Sequence, residues 1–139
     1  MLASAAHVGI VVVSHSRRLA EGVAELAAQM ADASVRIVPV GGAADGSLGT
    51  DADGIVAGLR AADAGAGVVV VADIGSAVLA AETAIELLGD GMAERVRISR
   101  GPVAEGAVVA AVQASIGQSL DEVLAAADAA AGMDKGVAR

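Results

Sequence analysis

Four short runs of β-branched apolar residues, separated by stretches with helical periodicity, constrain the fold of this chain more than any other feature. They are "VGIVVVS" (Val8–Ser14), "VRIVPV" (Val35–Val40), "GVVVVAD" (Gly67–Asp73) and "RVRIS" (Arg95–Ser99). A strand with one wet face alternates apolar and polar residues, whereas continuous runs of this kind indicate strands buried on both faces. Such strands belong to a parallel sheet covered by helices.

The intervening segments supply those helices. "RRLAEGVAELAAQMAD" places Leu19, Val23, Leu26 and Met30 on one stripe, and "DADGIVAGLRAADAG" repeats the pattern with Ile55, Val56 and Leu59. "SAVLAAETAIELLGD" forms a third helix ending at Gly89. "GPVAEGAVVAAVQASIG" opens with Pro102 in a first-turn position and stops near Gly117. Ser119-Leu120-Asp121-Glu122 is a capping box for a last helix running to about Ala131. Strict alternation of strand and helix implies right-handed crossovers. The expected fold is therefore α/β: a doubly wound, mainly parallel four-stranded sheet of order 2-1-3-4, flanked by helices. A single domain over residues 1–131 with a flexible tail at 132–139 fits the 139-residue length.

Composition narrows the function. Apolar residues make up 55% of the chain, yet Phe, Tyr and Trp are absent, so the platforms on which bases or a flavin ring stack are missing. A net charge of −8 argues against a nucleic-acid partner. With no cysteine there is neither a disulfide framework nor a thiolate nucleophile, consistent with a reducing compartment. The longest apolar stretch, "AGVVVVA" at 66–72, is far shorter than the roughly 20 residues of a membrane span. No basic n-region precedes the first apolar run, so a signal peptide is not expected, and the reading is a cytoplasmic protein without a membrane partner.

Open α/β sheets bind ligands beyond the carboxyl ends of their strands, where strand order reverses. In order 2-1-3-4 that point lies between strands one and three, which end at Ser14-His15-Ser16 and Asp73-Ile74-Gly75-Ser76. Topology thus brings His15 and Asp73 to one crevice. A carboxylate bonded to one imidazole nitrogen fixes the tautomer and leaves the other nitrogen free as a nucleophile. Ser16 is placed to cap the following helix, whose first N–H groups would face an anion beside His15. Arg17 and Arg18 oppose the macrodipole in that first turn, by about 0.3–1 kcal/mol each, which something anionic would offset. A loop histidine alone is most often merely solvated; strand end, helix start, matched carboxylate and flanking cations together describe a phosphohistidine site. His7, at the opposite end of the first strand, reads as a surface residue. No G-x-S-x-G elbow surrounds Ser14 or Ser16, and Asp45, Asp51 and Asp53 fit no cation-loop spacing, so no metal site is expected. The long glycine-rich connection 41–51 is the loop most suited to shaping a site.

"GIVVVSHSRRLAEGVAELAAQM", "GTDADGI", "VVVVADIGSA" and "GPVAEGAVVAA", in that order, resemble the mannose-type IIA family of the phosphoenolpyruvate-dependent phosphotransferase system over roughly residues 8–130. Ser16 after His15 and Ile74-Gly75-Ser76-Ala77 after Asp73 look like the branch serving dihydroxyacetone kinase rather than the sugar permeases. The resemblance implies that His15 accepts a phosphoryl group from phospho-HPr and passes it to ADP on the nucleotide-binding subunit of dihydroxyacetone kinase. It implies that Asp73 orients His15, and that Ser16, Gly49, Thr50, Gly75 and Ser76 line the phosphoryl pocket. Arg17 and Arg18 would contact the partner proteins, and Gly101–Gly106 would rim the crevice. No cofactor would sit in this chain, the ADP or ATP and magnesium belonging to the partner subunit. A homodimer is implied as well, with the donor supplied in trans since this chain ends at Arg139. The alternative is the IIA component of a mannose-type sugar permease, with the same histidine chemistry and another acceptor. A response-receiver domain shares the strand order but needs an acidic cluster after strand one, which is missing. A flavodoxin-like carrier lacks its aromatic cover.

Overall fold

The computed structural model describes residues 6–89 and 91–138. β1 (Gly9–Ser14), β2 (Ile37–Gly41), β3 (Val68–Ala72) and β4 (Val96–Ile98) form one sheet of order β2-β1-β3-β4, parallel throughout. The helices are α1 (Arg17–Gln29), α2 (Ala52–Ala62), α3 (Gly75–Leu88), α4 (Val103–Ser115) and α5 (Leu120–Ala129). Single 3₁₀ turns lie at Ala93–Arg95 and Ala130–Gly132. Architecture and strand order are those expected from the sequence.

The lack of polar alternation in β1 and β3 has a direct cause. Ile10, Val12, Val69 and Val71 point into a layer made by α1, α4 and α5, while Val11, Val13, Val68 and Val70 point into a layer made by α2 and α3. Both faces are dry, so every position is apolar. β2 is different: as an edge strand it is only half-buried along its length.

One helical stripe is split, since of Leu19, Val23, Leu26 and Met30 only Val23 reaches the core. Leu19, Leu26 and Met30 of α1 are exposed, and the residues meeting the sheet are Ala20, Val23, Ala24 and Ala27. Small side chains let α1 lie close to β1 and β2, where leucines would hold it away. α4 follows the same rule with Gly106, Ala107, Ala110, Ala111 and Ala114. A core without aromatic rings is thus filled by close approach of backbones rather than by large side chains.

Two helix ends are closed locally. Ser119 and Glu122 form the capping box of α5, with Ser119 N–H donating to Glu122 Oε1 at 2.9 Å and Glu122 N–H donating to Ser119 Oγ at 3.2 Å. His7 is not a free surface residue. It is half-buried, and its Nδ1 donates to the Ala114 carbonyl at 2.6 Å, closing one of the last carbonyls of α4. Beyond the Ala130–Gly132 turn, Lys135 pairs with Glu105 of α4 at 2.9 Å.

Both sheet edges are blunted. Ile10 N–H donates to Arg36 C=O and Gly42 N–H donates to Ser14 C=O, so even-numbered β2 residues face β1 and Ile37, Pro39 and Gly41 face outward. Pro39 has no N–H to offer there. On β4 the main-chain groups of Val96 face the open edge, but its N–H donates to Ala93 C=O and its carbonyl accepts from the Arg97 guanidinium at 3.2 Å. Among the described residues no helix is long and apolar enough to cross a membrane.

Candidate functional site

β1 and β3 are neighbours, so their carboxyl ends open side by side, and Asp73 N–H donates to Val13 C=O at 3.1 Å to continue the ladder. Asp73 then turns back onto β1. Its Oδ2 accepts from the Ser14 hydroxyl (2.9 Å) and the His15 N–H (3.1 Å), and its Oδ1 accepts from the Ile74 N–H (2.8 Å) and from His15 Nδ1 (3.0 Å). Burial raises the Asp73 pKa, but the N–H groups of His15 and Ile74, the Ser14 hydroxyl and the imidazole outweigh it. The carboxyl is held below its ordinary value.

An ionised carboxylate only accepts, so Nδ1 of His15 carries the proton and Nε2 of the neutral ring carries the lone pair. Nε2 lies on the open side, in contact with the Ser76 hydroxyl, which donates to it. The side chains of His15 and Asp73 are 24% and 13% exposed, so the imidazole meets solvent while its anchor is largely covered.

The other expected residues divide. Ser16 caps α1, its Oγ accepting from the Leu19 N–H at 3.2 Å, while its own N–H donates to Ser14 Oγ at 3.0 Å. Gly75 and Ser76 form the start of α3, whose N-cap position, Ile74, supplies no side-chain acceptor; the Ala77 N–H donates to the Ile74 carbonyl at 2.9 Å, and the N–H groups of Gly75 and Ser76 have no partner among the described residues. Gly49 is tied to the site by its N–H, which donates to the His15 carbonyl at 2.9 Å and so holds the histidine backbone. Thr50 is half-buried beside it, and its side chain makes no hydrogen bond among the described residues. Arg17 and Arg18 are exposed. Gly41 lets α1 start here: a Cβ on it would lie 2.5 Å from the Ser16 carbonyl. Asp45 closes a turn by accepting from the Ser47 N–H at 3.0 Å. Asp73 also lines a cleft with Gly101, Pro102 and Glu105, the segment expected to rim the crevice.

A half-buried strand-end carboxylate thus clamps a neighbouring histidine at its backbone and ring, and comparisons with known proteins place the whole chain in a family. The family model of the mannose-type IIA proteins (EIIA-man), described as "PTS system fructose IIA component", matches residues 9–124. The chain belongs to this family. Within it, the chain is 39% identical over 117 residues to a Listeria innocua protein named "PEP-dependent dihydroxyacetone kinase 2, phosphoryl donor subunit DhaM", covering 84% of this chain and 94% of that one. It is 42% identical over 120 residues to the Escherichia coli (strain K12) "PEP-dependent dihydroxyacetone kinase, phosphoryl donor subunit DhaM". There it covers 84% of this chain but spans only 25% of the longer relative. The crystal structure of a protein of unknown function, EF1359, matches with a TM-score of 0.83 at 34% identity, covering 95% of this chain and 99% of that one.

Two members of the site carried no motif in the sequence reading of this mannose-type IIA chain. Ser14, which no nucleophile elbow surrounds, donates to Asp73 itself. Arg100 was not singled out, yet it lines the same cleft as Asp73. The available signal was its place in Ser99-Arg100-Gly101, which ends a strand as Ser14-His15-Ser16 does.

Proposed function

We propose that this chain is the phosphoryl donor subunit of a phosphoenolpyruvate-dependent dihydroxyacetone kinase. It accepts a phosphoryl group from phospho-HPr on Nε2 of His15 and delivers it to ADP on the nucleotide-binding kinase subunit. The observation that carries this reading is the imidazole fixed through Nδ1 by Asp73, with Nε2 on the open side. The dihydroxyacetone kinase names of the relatives favour this acceptor over a sugar permease.

In the transfer, the Nε2 lone pair attacks phosphorus in line as the donor bond breaks. Catalysis of this type rests on positioning and charge stabilisation. As the imidazole becomes cationic, Asp73 already faces Nδ1–H and needs no reorganisation. The Ser76 hydroxyl leaves Nε2 and turns to the phosphoryl oxygens, joined by the first N–H groups of α3 and by Ser16 and Thr50. Gly49 acts by holding the His15 backbone. The nucleotide and its magnesium stay on the partner, Arg17 and Arg18 meet the partner proteins, and the functional unit is a cytoplasmic homodimer.

Incubation with phosphoenolpyruvate, enzyme I and HPr should place acid-labile, base-stable phosphate on the chain. His15→Ala should take no label, and His7→Ala should label normally. The labelled chain should discharge to the ADP-loaded kinase subunit and not to a sugar-permease component. Label on His7, or discharge only to the permease component, would overturn the assignment.

A further inference from the structure

The carboxyl ends of β1 and β4 are built alike. At β1, Ser14 Oγ and the His15 N–H donate to one oxygen of Asp73 (2.9 and 3.1 Å), and the Ser16 N–H donates to Ser14 Oγ (3.0 Å). At β4, Ser99 Oγ and the Arg100 N–H donate to one oxygen of Asp128 (both 2.8 Å), and the Gly101 N–H donates to Ser99 Oγ (2.9 Å). Both serines are buried. Arg100 therefore occupies, on its strand, the position that His15 occupies on β1. Gly101 presses its backbone onto α5, since a Cβ there would lie 2.0 Å from the Ala127 carbonyl. The starting direction of the Arg100 side chain is thus fixed from several sides.

The two ends differ in what the carboxylate holds. Asp73 takes both backbone and ring of its histidine, whereas Asp128 takes only the backbone of Arg100. The guanidinium is exposed and makes no hydrogen bond or ion pair among the described residues. It lines an open cleft of about 490 Å³ together with Asp73, Glu105 and Lys135. Lys135 is paired there with Glu105 at 2.9 Å, leaving Arg100 as the cation of the cleft that has no ion pair among the described residues, with the Asp73 carboxylate on the same wall. Since β1, β3 and β4 are consecutive in the sheet, Arg100 starts two inter-strand spacings from His15, about 10 Å, with Asp73 between them. An arginine side chain extended toward β1, with a phosphoryl group on Nε2, would span a gap of that size. Guanidinium is also the side-chain group best matched to phosphoryl oxygens.

We propose that Arg100 is a second charged arm of the transfer site, donating hydrogen bonds to the oxygens of the phosphoryl group carried on His15 Nε2. The proposal rests on the phosphohistidine reading above. During charging, the Nε2 lone pair forms the new N–P bond while the donor's P–N bond breaks, its electron pair returning to the donor ring. During discharge, a terminal oxygen of a nucleoside diphosphate forms the P–O bond and Nε2 recovers its pair. Arg100 stays protonated throughout and neutralises charge on the moving group.

The test uses the full chain, phosphorylated by phosphoenolpyruvate, enzyme I and HPr, then freed of them and titrated by phosphorus NMR. Arg100→Ala should raise the second ionisation of the phosphoryl group by on the order of one pH unit, as loss of an adjacent opposite charge does. It should also slow labelling by roughly ten-fold or more. Arg100→Lys, which keeps the charge and loses the planar fork, should restore the titration more fully than the rate. Thermal midpoints of both variants should match the parent, because Asp128 holds a backbone N–H that neither change removes. An unchanged titration in Arg100→Ala overturns the proposal, even where labelling slows, since slower labelling alone would make Arg100 a protein contact. A parent chain that takes no label on His15 sinks the phosphohistidine reading as well; label on His15 with an unshifted Arg100→Ala titration sinks this proposal alone.

Discussion

At the scale of single residues, Asp73 combines two tasks: it fastens the end of β1 through Ser14 and the His15 N–H, and it sets the histidine tautomer. Asp73→Asn keeps the shape but turns an amide N–H toward one of these donors. Labelling of His15 should fall by roughly a hundred-fold or more, since an Asp→Asn change at the carboxylate orienting a catalytic histidine costs up to about 10⁴ in rate. The variant also isolates a pH effect. The folded state holds the Asp73 carboxyl below its ordinary value, so its ionisation contributes stability that is complete above the ordinary carboxylate range. That contribution is lost as pH falls through the folded value. Urea unfolding of parent and Asp73→Asn should therefore show a constant gap above about pH 5, narrowing as the solution is acidified further; a gap that widens toward acid contradicts the hydrogen-bond pattern. His15 and Asp73 could be paired from sequence because strand order alone brings their positions together. The Ser14 and Ser99 clamps could not, since they depend on where a carboxylate's second oxygen points.

At the scale of elements, α1 shows where periodicity misleads. Of its apolar stripe, Leu19, Leu26 and the capping Met30 are exposed, while Val23 touches the sheet together with Ala20, Ala24 and Ala27. Ranking side chains by size selects the first set, but packing distance selects the second. Ala24→Leu should overpack the α1–sheet contact and cost about 1–3 kcal/mol, whereas Leu26→Gln should change stability by no more than about 0.5 kcal/mol. Chemical denaturation distinguishes these outcomes. The same helix begins with two cations and has no acidic residue in its first turn. Arg17→Ala and Arg18→Ala should each stabilise the chain by about 0.3–1 kcal/mol through relief of the macrodipole. Both should slow charging by phospho-HPr, so stability and rate move in opposite directions. By contrast, the α5 start was fully legible: the capping box is a local pattern, and Ser119→Ala should cost about 0.5–2 kcal/mol in thermal or denaturant unfolding.

At the scale of the whole molecule, the parallel sheet and its order followed from alternation and from dry strands, because few right-handed topologies satisfy both. The edges were less legible. β2 and β4 lie outermost, as the order 2-1-3-4 requires, but the apolar run of β2 reads like those of the central strands and does not mark it as half-covered. The net charge of −8 surrounds a site flanked by Arg17, Arg18 and Arg100, so the rate of productive encounter should depend on ionic strength. Stopped-flow charging at low and high salt tests this, and Arg17→Ala/Arg18→Ala should flatten the dependence. Pro39 on one margin and the Arg97 guanidinium on the other bear on the same encounters. A visiting protein finds little main chain to zip onto at either margin and must grip side chains instead. Docking through side chains alone leaves each partner separable from the sheet, as the proposed transfer between two successive partners requires.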